Sequence, residues 1–161
     1  MKNKIIVFDV DGVISISPVR KIGSGIAGRW RFFLLFIPQF RQLYDHLRKV
    51  NPEIKKLMLY LHKHGWKVYV VTGNRTGYSR GLEKWLDRKG ICYNSLFCYH
   101  SSYGNGISVG KWKAAMARKL KADFFIEDWV AIAREIAYGS DTQVILYKNQ
   151  TLEELLMLIK P

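Results

Sequence analysis

The sequence has few cysteines, few acidic residues and no long apolar run, and these shortages exclude several classes of protein. Its two cysteines, Cys92 and Cys98, are six residues apart and form no CxxC pair. We therefore expect two reduced thiols rather than a disulfide framework or a thiolate metal site. The apolar run that begins at Ile5 is broken by Asp9 and Asp11 before it reaches the length of a signal peptide's hydrophobic segment. A cytoplasmic protein is predicted.

The shortage of acidic residues leaves the chain strongly basic. It has 26 Lys and Arg residues against 13 Asp and Glu residues, which gives a formal net charge of +13 at pH 7. An excess of this size favours anionic partners, such as phosphates, nucleic acid or an acidic membrane surface, and indicates nothing about the fold. Nucleic acid is therefore one candidate partner, although many small domains are basic without one.

The length of 161 residues is typical of one compact domain, so we expect a single domain over residues 1–161 with a small insertion at residues 16–50. The insertion carries a dense apolar and aromatic run from Trp30 to Phe40. This run is too short for a transmembrane helix, which needs about 20 apolar residues. A small helical cap over a site, or a face for homo-oligomer formation through residues 30–40, is favoured over membrane contact.

From Pro52 onward, helical and strand patterns alternate along the chain. Apolar residues three and four apart predict a helix that begins near Pro52 and ends before Gly65. Thr151 and Glu154 have the spacing of a capping box at the start of the last helix. The predicted strands cover residues 5–9, 67–71, 96–100, 124–127 and 143–147. This alternation predicts an α/β, Rossmann-like fold, with a mainly parallel sheet and helices on both faces.

Polar residues stand at the carboxyl ends of three of these strands, where open parallel sheets bind their ligands. The three groups are Asp9 with Asp11, Thr72 with Gly73 and Asn74, and Glu127 with Asp128. Four crowded carboxylates repel one another, so either their pKa values rise or a cation lies among them. Mg²⁺ prefers oxygen ligands and substrate phosphates, and it is the predicted cofactor. A lysine at the start of the next helix, Lys111 or Lys113, is expected near the same edge.

This set of groups is suited to phosphoryl transfer. A carboxylate on a rigid strand end can attack phosphorus and form an aspartyl-phosphate, which water then cleaves. A hydroxyl, backbone amides and a lysine can hold the phosphoryl oxygens, because catalysis of this transfer depends on positioning and charge stabilisation.

The segments FDVDGV, VVTGN and FFIEDW, together with the lysine on a helix, resemble in order and spacing the four motifs of the haloacid dehalogenase-like (HAD) superfamily of phosphohydrolases. The resemblance covers residues 3–15 and 52–150, and it is specific because all four motifs occur together. The short core and the Glu-Asp ending are similar to the 5′(3′)-deoxyribonucleotidase-like branch, whereas residues 16–50 do not align with a nucleotidase cap. The resemblance implies a HAD-like fold with a small helical cap at that insertion.

The resemblance also implies roles for the acids. Asp9 would be the nucleophile and a magnesium ligand. Asp11 would protonate the leaving oxygen, then deprotonate the attacking water, and bind the metal through its backbone carbonyl. Asp128 would be a further metal ligand, and Glu127 would be its neighbour that contacts it without binding the metal. Gly12 would allow the sharp turn that leads into the insertion.

Phosphate binding is assigned by the same resemblance. Thr72, with Gly73 and Asn74, would hold the phosphate. Lys113 is preferred as the site lysine because of its distance from the Glu-Asp pair, and Lys111 is the substitute.

Three functions follow as hypotheses. The first is a magnesium-dependent phosphomonoesterase that acts through an aspartyl-phosphate on a small phosphorylated substrate such as a nucleotide. The second keeps the chemistry and acts on the phosphorylated end of DNA or RNA, which the net charge of +13 and the basic, aromatic insertion favour. The third is a non-enzymatic module that accepts a phosphoryl group or dimerises. Turnover distinguishes the third from the first two, and salt-dependent oligonucleotide binding distinguishes the second from the first.

Overall fold

A computed structural model of the chain describes residues 4–16, 48–99 and 107–159. The strands are β1 (Ile5–Phe8), β2 (Ser15–Ile16), β3 (Lys49–Val50), β4 (Lys67–Arg75), β5 (Ser95–Tyr99), β6 (Phe124–Glu127) and β7 (Gln143–Leu146). The helices are α1 (Pro52–Lys63), α2 (Ser79–Arg88), α3 (Val109–Leu120), α4 (Val130–Gly139) and α5 (Leu152–Leu158), and a 3₁₀ turn covers Thr76–Tyr78. Most of the predicted insertion, including its apolar run at residues 30–40, lies outside the described residues.

Five strands form one parallel sheet in the order β5-β4-β1-β6-β7. The central strand β1 places Phe8 beside Val70 of β4 and Ile126 of β6. A sheet of this kind is covered on both faces, which is why its strands are nearly continuous apolar runs. The predicted α/β fold is confirmed.

Helices cover both faces of the sheet, as the alternation of strands and helices predicted. Ile6 and Phe8 of β1 belong to the apolar cluster that also contains the buried residues of α1, α2 and α5. Val7, which points to the opposite face, belongs to the cluster that contains Trp112 of α3 and Ile136 of α4. The period of two along β1 thus distributes its side chains between two cores.

Local signals fix the ends of the helices. Asn51 caps α1 by accepting a hydrogen bond from the backbone N–H of Glu53 at 3.2 Å, and Pro52 occupies the first turn. Gly65, just beyond α1, has a φ of +79°, a conformation that glycine adopts at little cost. The predicted capping box of Thr151 and Glu154 is present at the start of α5.

The prediction for the end of β4 was wrong. The turn-forming residues Thr72 and Gly73 suggested that the strand stops at residue 71, but β4 continues to Arg75. Pairing with β5 runs to Thr72, shifts register, and resumes where Arg75 faces Tyr99. A register shift of this kind bends the strand locally, and tertiary pairing here overrides local turn propensity.

A second, two-stranded sheet pairs β2 with β3 in antiparallel orientation, with Ser15 opposite Val50 and Ile16 opposite Lys49. These strands lie at the two ends of the predicted insertion, so the ribbon brings its ends together. Cys92 and Cys98 are not bonded to each other. Among the residues described, no helix is long and apolar enough to cross a membrane.

Candidate active site

The candidate site lies at the carboxyl edge of the three central strands. Asp9 follows β1 directly, and its backbone N–H donates to the carbonyl of Ile126 at 3.0 Å, which continues the pairing with β6. Thr72 lies in β4 and Glu127 ends β6. Because β4, β1 and β6 are neighbours, the strand ends that the sequence singled out meet at one edge.

A buried lysine bridges two buried carboxylates at this edge. Nζ of Lys113, in α3, lies 2.8 Å from Oδ1 of Asp9 and 2.6 Å from Oε2 of Glu127. These three side chains are 2%, 7% and 1% exposed. Oε1 of Glu127 accepts hydrogen bonds from the backbone N–H groups of Asp128 and Trp129, at 3.2 and 3.1 Å. Since an isolated buried charge is very costly, this pairing explains how all three groups can be enclosed.

Burial and mutual contact perturb the protonation of these groups. Burial raises the pKa of Asp9 from 3.8 to about 7; Lys113 opposes this rise, and the carboxylates of Glu127 and Asp11 add to it. Burial also raises the pKa of Glu127 against the attraction of Lys113. For Lys113, burial acts to lower the pKa, but the two carboxylates outweigh it and raise the pKa above its usual range. The lysine is therefore charged at neutral pH, whereas the pKa of Asp9 lies close to neutral pH.

The acids at this edge have the chemistry of a divalent cation site. Carboxylate oxygens of Asp9, Glu127 and Asp128 all lie within 4.8 Å of one another. Hard oxygen donors are the ligands that Mg²⁺ prefers, usually one or two carboxylates with waters and a phosphate. Burial, with a smaller part from the neighbouring carboxylates, raises the pKa of Asp9, and a bound divalent cation would favour its ionised form. The residues present thus fit a divalent cation.

Asp11 lies on the turn that leaves β1. Gly12 has a φ of +96°, and the turn is closed by hydrogen bonds from the backbone N–H of Gly12 to the carbonyl of Ser15 and from Ser15 to Val10, at 2.9 and 2.8 Å. The predicted need for glycine at this turn is confirmed. The turn leaves the Asp11 side chain 44% exposed at the mouth of the site, two residues from the buried Asp9.

The segment from Thr72 to Asn74 connects β4 to the Asp11 carboxylate. Nδ2 of Asn74 donates to Oδ2 of Asp11 at 2.8 Å and to Oγ1 of Thr72 at 3.0 Å, and Thr72 itself is buried. At Gly73, a Cβ atom would lie only 2.9 Å from Cγ1 of Val109, at the start of α3. The absence of a side chain at residue 73 thus lets this segment approach the helix that carries Lys113.

The structure brings together most of the residues predicted for the site. Those that lie at this edge are Asp9, Asp11, Thr72, Gly73, Asn74, Lys113, Glu127 and Asp128. Lys111, the substitute for Lys113, is exposed. Glu127, predicted to support the metal ligands, is part of the side-chain acid cluster, whereas Asp11, predicted to bind through its backbone carbonyl, is not. The catalytic, phosphate-binding and metal-binding roles stay predictions.

One residue of the site was missed by sequence reasoning. Arg48 is fully buried, and its guanidinium contacts the carboxylate of Asp11. It lies in the returning end of the insertion, 37 residues from Asp11, among several other basic residues. The one local signal is its place just before a short strand, β3, which pairs with β2 beside the Asp11 turn.

No protein-family model and no curated protein matches the sequence, whereas solved structures match its fold. A chain in the Pnkp1/Rnl/Hen1 RNA repair complex matches with a TM-score of 0.66 and 15% identity, over 90% of this chain and 42% of that chain. This chain therefore spans less than half of the length of that one.

Two further matches extend over nearly the whole of both chains. A HAD-superfamily hydrolase from Geobacter sulfurreducens matches with a TM-score of 0.63 and 9% identity, over 98% of this chain and 97% of that one. The D,D-heptose 1.7-bisphosphate phosphatase from B. bronchiseptica, complexed with magnesium and phosphate, matches with a TM-score of 0.57 and 17% identity, over 96% and 99%. The chain has the fold of the HAD-superfamily hydrolases.

Proposed function

We propose that the protein is a magnesium-dependent phosphomonoesterase that works through an aspartyl-phosphate on Asp9. The observation that carries the proposal is the pairing of Asp9 with Lys113, 2.8 Å apart and buried, at the strand edge that also presents Thr72 and Asp11. Structural pairing alone would not require a threonine and a second acid at the same edge. Transfer of a phosphoryl group uses a nucleophile, a cation, a hydroxyl donor and a second acid, and all four kinds of group lie at this edge.

The residues of the chain divide the work of phosphoryl transfer between them. A carboxylate oxygen of Asp9 attacks phosphorus, and Lys113 and the hydroxyl of Thr72 hold the phosphoryl oxygens as charge shifts in the transition state. Asp11, at the exposed mouth of the site, gives a proton to the leaving oxygen and then takes one from the water that cleaves the intermediate. Asp9 is held rigidly by its backbone pairing with β6, which favours an in-line approach.

A divalent cation would be held by Asp9 and Asp128, with Glu127 behind them. Glu127 is suited to this supporting position because Lys113 and two backbone N–H groups already contact its two oxygens. When bound, Mg²⁺ would neutralise the crowded acids and the phosphoryl charge. Lys113 contributes a second, permanent positive charge, and it keeps Glu127 and Asp9 oriented.

The substrate class proposed first is a small phosphate monoester such as a nucleotide, in keeping with the resemblance to the deoxyribonucleotidase-like branch. The direct test measures release of inorganic phosphate from mononucleotides, sugar phosphates and phosphorylated oligonucleotides, with Mg²⁺ and with a chelator. The wild-type protein should release phosphate from at least one class only with Mg²⁺.

Asp9→Asn is the decisive variant in the same assay, and Glu83→Gln is its control. Asn keeps the size of Asp9 but cannot form the acyl phosphate, so turnover should vanish while the fold persists. Glu83 is exposed in α2, and its replacement should leave turnover unchanged. Activity that survives Asp9→Asn would remove the covalent mechanism. A stable phosphoprotein without turnover would instead favour a phospho-accepting module.

A phosphorylated nucleic-acid end is the second candidate substrate. Two observations favour it: the net charge of +13, and the similarity in fold to a chain of an RNA repair complex. Contacts with phosphates release counterions, so the logarithm of a single-strand binding constant should fall by roughly 0.7 per phosphate contact for each tenfold rise in salt. A 3′-phosphorylated oligonucleotide titrated at several salt concentrations tests this. Absent or salt-independent binding would leave only the small substrates.

A further inference from the structure

An arginine outside the predicted motifs is enclosed beside the candidate acid/base. Arg48 precedes β3, and its side chain is 0% exposed. Charged side chains are almost never fully buried unless they are paired. One of its partners is Asp11, whose side chain is 44% exposed, so a buried cation contacts an acid at the mouth of the site.

The contacts of Arg48 fix its guanidinium. Nη2 donates to Oδ1 of Asp11 and, at 3.2 Å, to Oγ of Ser15. The guanidinium carbon lies 5.1 Å from the centre of the Trp85 ring, within the range of a cation–π contact. Arginine is planar and carries its donors in a fixed geometry, so a guanidinium held by Ser15 and Trp85 presents its N–H group to Asp11 in one direction.

The second oxygen of Asp11 is held from a different part of the fold. Oδ2 accepts a hydrogen bond from Nδ2 of Asn74 at 2.8 Å, and the same amide reaches the hydroxyl of Thr72 at 3.0 Å. The carboxylate is therefore fixed between Arg48 and β4. A carboxylate that is contacted at both oxygens is fixed in its plane, whereas a carboxylate contacted at one oxygen can still rotate.

We propose that Arg48 is a positioning residue, which orients the Asp11 carboxylate for proton transfer at the leaving oxygen. The inference rests on the proposed function of Asp11. A buried ion pair is weak evidence for stability, because the cost of removing charges from water offsets their attraction. General acid–base catalysis, by contrast, depends strongly on where the group lies, so orientation is what this contact adds.

The test compares two phosphate monoesters that differ in their need for a proton. An alkyl ester such as glycerol phosphate has a leaving oxygen that must be protonated, whereas 2,4-dinitrophenyl phosphate has a leaving group that departs as a stable anion. In Arg48→Met, the rate of leaving-group release in a single turnover, which reports transfer of the phosphoryl group to Asp9 and not its later hydrolysis, should fall about 100-fold for the alkyl ester, as expected when an acid is misplaced by about 1 Å. With the dinitrophenyl ester, the same single-turnover rate should fall less than about 3-fold, because its leaving group needs no proton.

Further variants separate positioning from structure. Asp11→Asn should give the same dependence on the leaving group, and adding Arg48→Met to it should cause no further selective loss. Arg48→Lys keeps the charge but not the planar geometry, and its rate with the alkyl ester should lie between those of the wild type and Arg48→Met. Arg48→Lys also keeps the test decisive if Arg48→Met does not fold, which thermal melting would reveal.

The outcomes distinguish this inference from the proposed function. A loss in Arg48→Lys and Arg48→Met that is equal for both esters, or no loss, would overturn the positioning role while the enzyme remains a phosphatase. If the wild-type protein, with Mg²⁺ present, releases phosphate from neither ester and from no member of the mononucleotide, sugar phosphate and oligonucleotide panel, the proposed function is overturned and this inference with it. If it hydrolyses only a member of that panel, that alkyl ester takes the place of glycerol phosphate.

Discussion

Replacement of Lys113 by methionine should expose how much the buried charge cluster depends on one residue. Nζ of Lys113 contacts Asp9 and Glu127 at 2.8 and 2.6 Å, and all three side chains are nearly inaccessible to water. Methionine fills similar volume but leaves two carboxylates without their cation. Removal of one partner of a buried ion pair typically costs about 3–5 kcal/mol. That is a large part of the roughly 5–15 kcal/mol that stabilises a domain.

The loss should depend on pH. Without Lys113, the pKa values of Asp9 and Glu127 should rise further, because Lys113 is the main group that opposes their rise. Near pH 5, the acids can take up protons at little cost and relieve the buried charge, whereas near pH 8 proton uptake costs more, so the deficit in the free energy of unfolding should be larger at about pH 8. At this chain length, 3–5 kcal/mol corresponds to a fall in Tm of about 6–20 °C.

Thermal and urea unfolding followed by circular dichroism, at about pH 5 and about pH 8 with a chelator present, measures both effects. Lys111→Met is the matched control, since Lys111 is exposed on the same helix and its replacement should change stability by less than about 0.5 kcal/mol. If Lys113→Met is as stable as Lys111→Met at both pH values, Lys113 does not neutralise Asp9 and Glu127 in the folded protein, and the prediction is wrong.

Two further predictions concern the same edge. Because Asp9 binds its proton more tightly in the folded state (pKa about 7) than in the unfolded state (3.8), its contribution to stability is greatest below pH 4 and is lost as pH rises through 7. Without Mg²⁺, urea unfolding should show that the free energy of unfolding falls by up to about 4 kcal/mol between pH 4 and pH 7, and that this fall is absent in Asp9→Asn. If the free energy of unfolding depends on pH in the same way in both proteins, the prediction is wrong. Gly73→Ala should destabilise the protein by about 1–3 kcal/mol and reduce turnover, because its Cβ would lie 2.9 Å from Val109, whereas Gly77→Ala, which meets nothing within 4 Å, should be neutral. Restoration of stability in Gly73→Ala/Val109→Ala would identify the clash, and a double variant no more stable than Gly73→Ala would exclude it.

The sequence predicted the edge of the sheet well because its signals are local. Apolar runs that end in polar residues mark β1, β4 and β6, and the carboxyl ends of neighbouring parallel strands meet at one edge. The burial of Lys113 and the exposure of Lys111 follow from their places on α3, two residues apart on a helix of 3.6 residues per turn. Capping residues, such as Thr151, fixed helix starts in the same local way.

What escaped prediction depends on contacts between distant residues. The partnership of Arg48 with Asp11 spans 37 residues, and the ribbon that supports it consists of two strands of two residues each, too short to produce a periodic pattern. The extension of β4 to Arg75 is set by pairing with β5 rather than by the turn-forming residues within it. Neither feature is encoded in the local properties of the segment concerned.

The measurement that tests the central claim most directly is chemical trapping of the intermediate. The wild-type protein is mixed with Mg²⁺ and its substrate, quenched during turnover and treated with borohydride, which reduces an acyl phosphate to an alcohol. Peptide mass spectrometry should then find homoserine in place of aspartate at residue 9, and Asp11 and Asp128 should be unchanged. Turnover without any modification at residue 9, or with modification at another acid, would contradict the assignment of Asp9 as the nucleophile.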